Sequence, residues 1–358
     1  MEEQKSGSLK TYVGMFDLAK GIGMIMVVLA HTISQYNINT LPSFPLAVFG
    51  IVGTGLLPMF FIVSGYGFRK QKIVFCIKQQ IRYILLPYLY VTLGMAIIFP
   101  CIHIAFFKWP RGAFNEMVRV VLAFILGVCE NSGIRIGPYE LYDCGTVWFL
   151  LALMNGWIIL NFIFVFKNIY IRNLFVFLSV IVGMFLCQFG VWFFCFQASL
   201  ISVGYLYIGY LLKKYRILHR KLPFWVYCLL VIGVSIQFGF GKIVMSTNYW
   251  RLGVFDMILS FCNGFILIKL SLLGNVLTGT ISQGIRTIGR YSLWIMCVHT
   301  LESICIPWYL FSAKFVTNPV IGILLQLILH CITIFGGCFL IKIYILVKKN
   351  LKIRRSIL

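Results

Sequence analysis

The first long apolar stretch of the chain is 15-MFDLAKGIGMIMVVLAHTISQY-36. It has the length that a transmembrane helix needs, which is about 20 mostly apolar residues. Further apolar runs of this kind follow along the whole chain, at 44–68, 83–107, 147–166, 174–190, 191–212, 222–241, 252–272, 291–312 and 319–345. The sequence therefore predicts an all-α, polytopic membrane protein with about ten transmembrane helices.

The composition excludes a soluble globular protein. Hydrophobic residues make up 61% of the 358 positions and charged residues only 11%, where soluble domains carry about 25%. We expect a single membrane-embedded domain over residues 1–358, with short cytoplasmic tails at 1–14 and 348–358. The run 119–129 is too short to span a bilayer, and we expect it at the outer surface.

The net charge of +22 comes from 31 Lys and Arg against 9 Asp and Glu. On a soluble protein this excess would indicate nucleic-acid binding, but cytoplasmic loops of membrane proteins also accumulate Lys and Arg. With a cytoplasmic amino terminus and ten spans, only seven of the 31 fall outside, namely Lys108, Arg111, Arg119, Arg135, Lys242, Arg251 and Lys314. The charge thus predicts two cytoplasmic termini and no nucleic-acid partner.

The twelve cysteines form no CxxC pair and lie mostly within apolar runs. This pattern favours neither a metal cluster nor a disulfide framework, so we predict no metal. Cys129 and Cys144, both in the expected outer loop, remain a possible pair.

The first span carries ionisable side chains, which are costly in a membrane and are functional candidates by default. Lys20 and His31 are eleven residues apart, so they share one helix face and differ in depth by about 16 Å. Gly21 beside Lys20 would let a ligand or a helix approach closely. In a purely structural interpretation, Lys20 is an interfacial anchor that pairs with Asp17 at i,i+3.

The segment Phe16 to His31 resembles the opening motif of the integral-membrane acyltransferase-3 family. That motif has an Asp, then Arg or Lys, ten residues, and then His. Further similar segments follow in the family's order: FFIVSGY at 60–66, RYILLP at 82–87, VWFL at 147–150 and IGRYSLW at 288–294 before His299. The segment GYLYIGYLLKK at 204–214 is more similar to the fucose 4-O-acetylase-like subgroup.

The resemblance implies an O-acyltransferase of the bacterial cytoplasmic membrane, working among membrane lipids. It would move an acyl group, by analogy acetyl, from cytoplasmic acyl-CoA to a hydroxyl of a lipid-linked or envelope sugar. Acyl-CoA would be a co-substrate and not a permanently bound cofactor. His31 is our candidate general base, since imidazole titrates near neutrality.

Other site residues follow from position and from the matched motifs. Lys20 and Arg82 would hold the phosphates of CoA, and Ser64 would make a backbone or acyl-chain contact. Trp148 begins the fourth span beside the polar outer loop, where a sugar ring could stack on it.

A buried base needs a partner that fixes its tautomer. Asp256 in span eight and Glu302 in span nine are the intramembrane carboxylates, and depth favours Asp256 as the partner of His31. Glu302 shares a helix face with His299 at i,i+3, and we assign both to the substrate side of the site. Each of these groups could instead satisfy a polar neighbour within the bundle.

Two other functions fit a polytopic chain with buried charges. A transporter or flippase of a lipid-linked glycan would use His31, Asp256 and Glu302 for substrate or proton handling, yet no inverted repeat is visible. An assembly subunit with a degenerate acyltransferase scaffold would not need Lys20 and His31 on one helix face. The ordered motifs favour the enzyme.

Overall fold

The structure is a computed structural model that describes residues 14–36, 43–129, 134–189, 193–247 and 249–355; the side chains of 43–49, 187 and 344–355 are not described. The predicted tail 1–14 lies outside this part except for Gly14. The α-helices are α1 (Asp17–Ile33), α2 (Ser43–Tyr66), α3 (Ile73–Gln80), α4 (Leu86–Phe107), α5 (Pro110–Leu126), α6 (Trp148–Ile163), α7 (Ile169–Leu186), α8 (Phe196–Lys214), α9 (Phe224–Phe240), α10 (Val254–Leu273), α11 (Thr280–Arg290), α12 (Ser292–Cys305), α13 (Trp308–Ser312) and α14 (Pro319–Arg355).

Two short antiparallel hairpins complete the fold. The first pairs β1 (Arg135–Ile136) with β2 (Tyr139–Glu140), and the second pairs β3 (Ile243–Val244) with β4 (Tyr249–Trp250). Both lie between long helices in segments that the sequence places outside the membrane.

The chain is a mostly helical membrane protein. In the described part, six helices are long and apolar enough to cross a bilayer: 73–107, 145–163, 169–186, 193–214, 254–276 and 319–343. A bent pair, Ser292–Cys305 with Trp308–Phe315, would make a seventh span, and 50–66 and 224–240 are shorter apolar helices. Length and composition therefore support fewer spans than the ten predicted.

Several boundaries differ from the sequence prediction. The run 119–129 belongs to a longer helix, α5, which packs against α4. The predicted span 291–312 breaks after Cys305 with a bend of 68°, because Pro307 cannot continue a helix. The predicted span 319–345 continues as α14 to Arg355, through the start of the expected tail at 348.

The α11 helix was not predicted, because the run TISQGIRTIGR is too polar to read as a span. It packs tightly against α1. A Cβ on Gly21 would lie 2.0 Å from the carbonyl oxygen of Ile285, and one on Gly289 would lie 1.8 Å from that of Asp17. Glycine at both positions therefore permits backbone contact between the two helices.

The core lies where α2, α6, α8 and α10 meet, and α8 is the most buried of the apolar helices. Gly65 and Gly209 allow α2 and α8 to touch, because an added Cβ would lie within about 2 Å of a backbone carbonyl oxygen of the other helix. In contrast, α4, α7, α9 and α14 expose rows of Leu, Ile and Phe side chains. Such surfaces suit lipid contact.

Candidate active site

A cavity of about 1090 Å³ runs between α1, α2, α6 and α12. One end is lined by residues at the start of α1 and the ends of α2 and α8. The other end is lined by His31, Thr146, Trp148 and the β3 segment at 243–246. The volume is slightly above the usual range for small-molecule sites, about 300–1,000 Å³, so the cavity has room for more than one substrate.

Cationic side chains gather at the first end of the cavity. Lys20, Arg69 and Lys213 all line it, and they come from α1, the segment after α2 and the end of α8. The Lys213 ammonium also lies 6.0 Å from the centre of the Tyr66 ring. Three cations converging from separate elements form a setting for an anionic group such as a phosphate.

Lys20 has a carboxylate partner at this end. Its Nζ lies 2.9 Å from Oδ1 of Asp17, and Nε of Arg290 lies 3.4 Å from Oδ2. The i,i+3 pair expected in the structural interpretation is thus present, and Lys20 lines the cavity as well. Because Asp17 also has Arg290, Lys20 is not its sole counter-ion.

His31 lies toward the other end of the cavity. Its side chain is exposed, and it lines the cavity wall together with Ala30 and Val27. Lys20 and His31 therefore face one cavity, as their spacing predicts. The His31 ring centre lies 5.6 Å from that of His299.

Behind His31, buried polar groups form a connected cluster. The Nδ1 atoms of His299 and His330 each lie 2.7 Å from Oε1 of Glu302, and Nε1 of Trp308 donates to Oε2 at 2.9 Å. All four residues are buried. The carboxylate nearest to His31 through this network is therefore Glu302.

Asp256 lies elsewhere. One of its oxygens accepts a hydrogen bond from Nε2 of Gln237 on α9 at 3.1 Å, and the other accepts from the backbone N–H of Leu252 at 2.7 Å. The predicted pairing with His31 is replaced by bonds that tie α9 to the start of α10. Depth in the membrane alone could not foresee this, because it says nothing about which side of the bundle a helix faces.

The other predicted residues divide between the cavity and the surface. Ser64 and Trp148 line the cavity, and the Ser64 hydroxyl accepts a hydrogen bond from Nε1 of Trp157 at 2.8 Å. Arg82 is exposed in a π-helical stretch at 81–85, with its guanidinium 5.6 Å from the Tyr83 ring, and lies outside the cavity lining.

No disulfide bond joins Cys129 to Cys144, both of which lie in the described part of the chain. Both side chains are buried, and both contact the side chain of Cys195. The Thr146 hydroxyl hydrogen-bonds to that of Thr300 on α12. These contacts fix the start of α6, and with it Trp148, beside the cavity.

A family model described as "Acyltransferase domain" matches residues 14–343. The chain belongs to the acyltransferase-3 family. Comparisons with curated proteins and with solved structures found no match. The matched region contains every residue of the cavity and of the buried cluster, so this membrane acyltransferase carries the whole candidate site within its family domain.

Sequence reasoning missed several residues of the acyltransferase site. Arg69 lies in the basic loop 69–82, which could hold CoA as a whole, and Lys213 lies in another basic run; no pattern in the sequence separates either residue from its cationic neighbours. His330 stands in α14 with no motif around it. The one available signal was its ionisable side chain within an apolar run.

Proposed function

We propose that this acyltransferase moves an acetyl group from cytoplasmic acetyl-CoA to a hydroxyl of a lipid-linked or envelope sugar in the bacterial cytoplasmic membrane, with His31 as general base. Membership of the acyltransferase family supports the reaction class. Acetyl as the group, CoA as its carrier and a sugar as its acceptor are the proposal.

The observation that carries this proposal is the single cavity that links Lys20, Arg69 and Lys213 at one end with His31 and Trp148 at the other. The cations lie at the end that the charge distribution of the sequence predicts to be cytoplasmic, where acyl-CoA is made. They would hold the phosphates, while the narrow pantetheine arm would extend along α1 toward His31. The helical distance to be covered is about 16 Å.

The reaction at the far end needs a base beside a hydroxyl. His31 would take the hydroxyl proton as the sugar oxygen bonds to the acyl carbon. The carbon–sulfur bond then breaks, and its electron pair leaves with the CoA sulfur. The thiolate finally regains a proton, so neither the enzyme nor the substrates accumulate charge.

The outer end has features that suit a sugar. Trp148 offers an aromatic surface on which an apolar face of the ring can stack. Thr146 and Ser246 add hydroxyl groups to the same end of the cavity. This combination of one aromatic surface and small polar groups suits a neutral polyhydroxylated ligand.

The test follows radiolabel from [¹⁴C]acetyl-CoA into the glycans of bacterial membranes that contain the native chain, His31→Gln or His103→Gln. His103 is the matched control, since it stacks on Phe99 in α4 and lies outside the cavity lining. Native membranes and the His103 variant should label glycan equally. The His31 variant should lose labelling by about 10²–10⁴-fold, the range for a missing general base.

Two results would refute the proposal. Equal labelling by the native chain and His31→Gln would remove His31 from the chemistry. No labelling by any of the three, with all present at equal amounts in the membrane, would exclude acetyl transfer from CoA and favour transport of a lipid-linked glycan.

A further inference from the structure

The hydrogen bonds around Glu302 fix where the protons of its two histidine partners lie. A carboxylate oxygen without a proton only accepts, and Oε1 is within 2.7 Å of Nδ1 on both His299 and His330. Oε2 accepts from Trp308. Both imidazoles therefore carry a hydrogen on Nδ1, and their Nε2 atoms are the positions that can gain a proton.

The two Nε2 atoms differ in their surroundings. Nε2 of His330 lies 3.2 Å from Nε2 of Gln326, whose amide is oriented by the Tyr36 hydroxyl on its oxygen and by Gln35 on its nitrogen. The Gln326 N–H thus donates to Nε2 of His330, and both nitrogens of that ring make hydrogen bonds.

His299 is different, because its Nε2 is buried and has no hydrogen-bond partner within the part of the chain that the structure describes. An unpartnered buried polar atom lowers the stability of the folded protein. A catalytic role is one of the recognised reasons for which a native protein keeps such an atom.

This unpartnered Nε2 belongs to the imidazole that lies next to His31, with 5.6 Å between the two ring centres. We propose that His299 is a second base, which accepts the hydroxyl proton from His31. This inference rests on the general-base role of His31 in the proposed function. Glu302 then stabilises the charged His299 ring, and His330 and Trp308 are positioning residues that hold the carboxylate.

The proton balance closes within the site. The hydroxyl O–H bond breaks toward His31, and the proton passes from His31 to Nε2 of His299, which becomes an imidazolium paired with Glu302. The thiolate of the departing CoA takes the proton back through His31. No oxidant, reductant or additional reactant is needed.

The groups that face His299 come from three helices. His31 on α1 and His330 on α14 are the other imidazoles, and Glu302 on its own helix is the carboxylate. The thiol of Cys305, on the same helix, lies in electrostatic range of Glu302. Of these groups, Glu302 supplies the negative charge beside the His299 ring.

Two imidazoles and a carboxylate are also metal-binding groups, and their donor atoms here lie within 4.8 Å of one another. A metal needs the lone pair of each nitrogen that binds it. With Glu302 ionised, both Nδ1 atoms use their hydrogens on the same oxygen, and the Gln326 amide supports the same tautomer of His330. The hydrogen bonds therefore favour proton transfer over metal binding.

The kinetic test compares His299→Gln with His330→Gln in the [¹⁴C]acetyl-CoA assay over a range of pH. Glutamine can still donate to Glu302 at either position but cannot take up a proton. His299→Gln should lower kcat by about 10–100-fold, less than the loss at His31, with KM for acetyl-CoA unchanged and a shifted pH profile. His330→Gln should lower kcat far less, and the kcat of His103→Gln should equal that of the native chain.

A second measurement does not depend on turnover. The chain has five histidines, so ring-¹⁵N NMR of histidine-labelled protein in nanodiscs can be assigned by single substitutions. In the resting protein, His299 should show a hydrogen on Nδ1 and none on Nε2. Glu302→Gln should alter that signal and leave those of His103 and His219 in place.

Several outcomes would overturn this inference. One is a proton on Nε2 of His299 in the resting protein. Another is an equal loss of kcat in His299→Gln and His330→Gln. A third is one tightly bound transition-metal ion per chain that Glu302→Gln releases. Full activity in His299→Gln, with the native chain active and His31→Gln inactive, would refute the second base alone. An inactive native chain would refute the proposed function as well.

Discussion

Replacing Lys20 with glutamine tests whether this side chain holds a phosphate or merely neutralises Asp17. The substitution keeps a polar side chain, shorter by one atom, and removes its charge. Lys20 lines the cavity, and 29% of its side chain is exposed. Its ion pair with Asp17 is one of two that this carboxylate makes, so the fold should survive the change.

The expected magnitude follows from the position of Lys20. A hydrogen bond to a charged group contributes about 1.5–3 kcal/mol, and solvent and salt at the cavity end reduce this to about 1–2 kcal/mol. Since about 1.4 kcal/mol is a factor of ten, KM for acetyl-CoA should rise by about 5–30-fold. The kcat should stay within about twofold, because Lys20 is far from the reacting atoms.

The assay measures initial rates of [¹⁴C]acetyl transfer against acetyl-CoA concentration at low and high salt. Lys20→Arg should retain the native KM within about threefold, since it keeps the charge. Lys70→Gln is the matched control, because Lys70 is exposed and lies outside the cavity lining. The native KM should rise with salt more steeply than that of Lys20→Gln.

A double variant separates the two roles of Lys20. If the side chain only neutralises Asp17, then Asp17→Asn combined with Lys20→Gln should restore native kinetics. If it holds a phosphate, the double variant should keep the high KM. Recovery in the double variant, or a lower kcat at unchanged KM in Lys20→Gln, would refute the phosphate role.

Two further predictions concern packing and the placement of a carboxylate. Gly289→Ala should lower the free energy of unfolding by about 1–3 kcal/mol, because its Cβ would lie 1.8 Å from a backbone oxygen of α1. Gly284→Ala on the same helix meets nothing within 4 Å and should be neutral or slightly stabilising; equal thermal melting of the two variants in detergent would contradict the close contact. Asp256→Asn should retain most of the acetyl-transfer rate but lower the melting temperature, since an amide can replace only part of the hydrogen bonding to Gln237 and the neighbouring backbone. A loss of rate as large as that of His31→Gln, in protein that melts normally, would return Asp256 to the catalytic site.

Local sequence patterns determined the helical membrane character of this protein and the shared helix face of Lys20 and His31. Hydrophobic runs indicate a helical membrane protein because each helix satisfies its own backbone within lipid. The spacing of Lys20 and His31 indicates a shared face because helical geometry is regular over eleven residues. Both properties depend on neighbours along the chain, and for that reason the sequence alone sufficed.

Only the tertiary structure decided which distant groups meet. In the sequence, Glu302 and Asp256 are both intramembrane carboxylates and depth favours Asp256 as the partner of His31, yet Glu302 lies behind His31 and Asp256 lies between α9 and α10. His330 joins the cluster from α14, and Arg69 and Lys213 reach the cavity from two further elements. The rotation and contacts of whole helices bring these groups together. Those contacts depend on small residues such as Gly21, Gly65 and Gly209, whose partners lie far away in sequence.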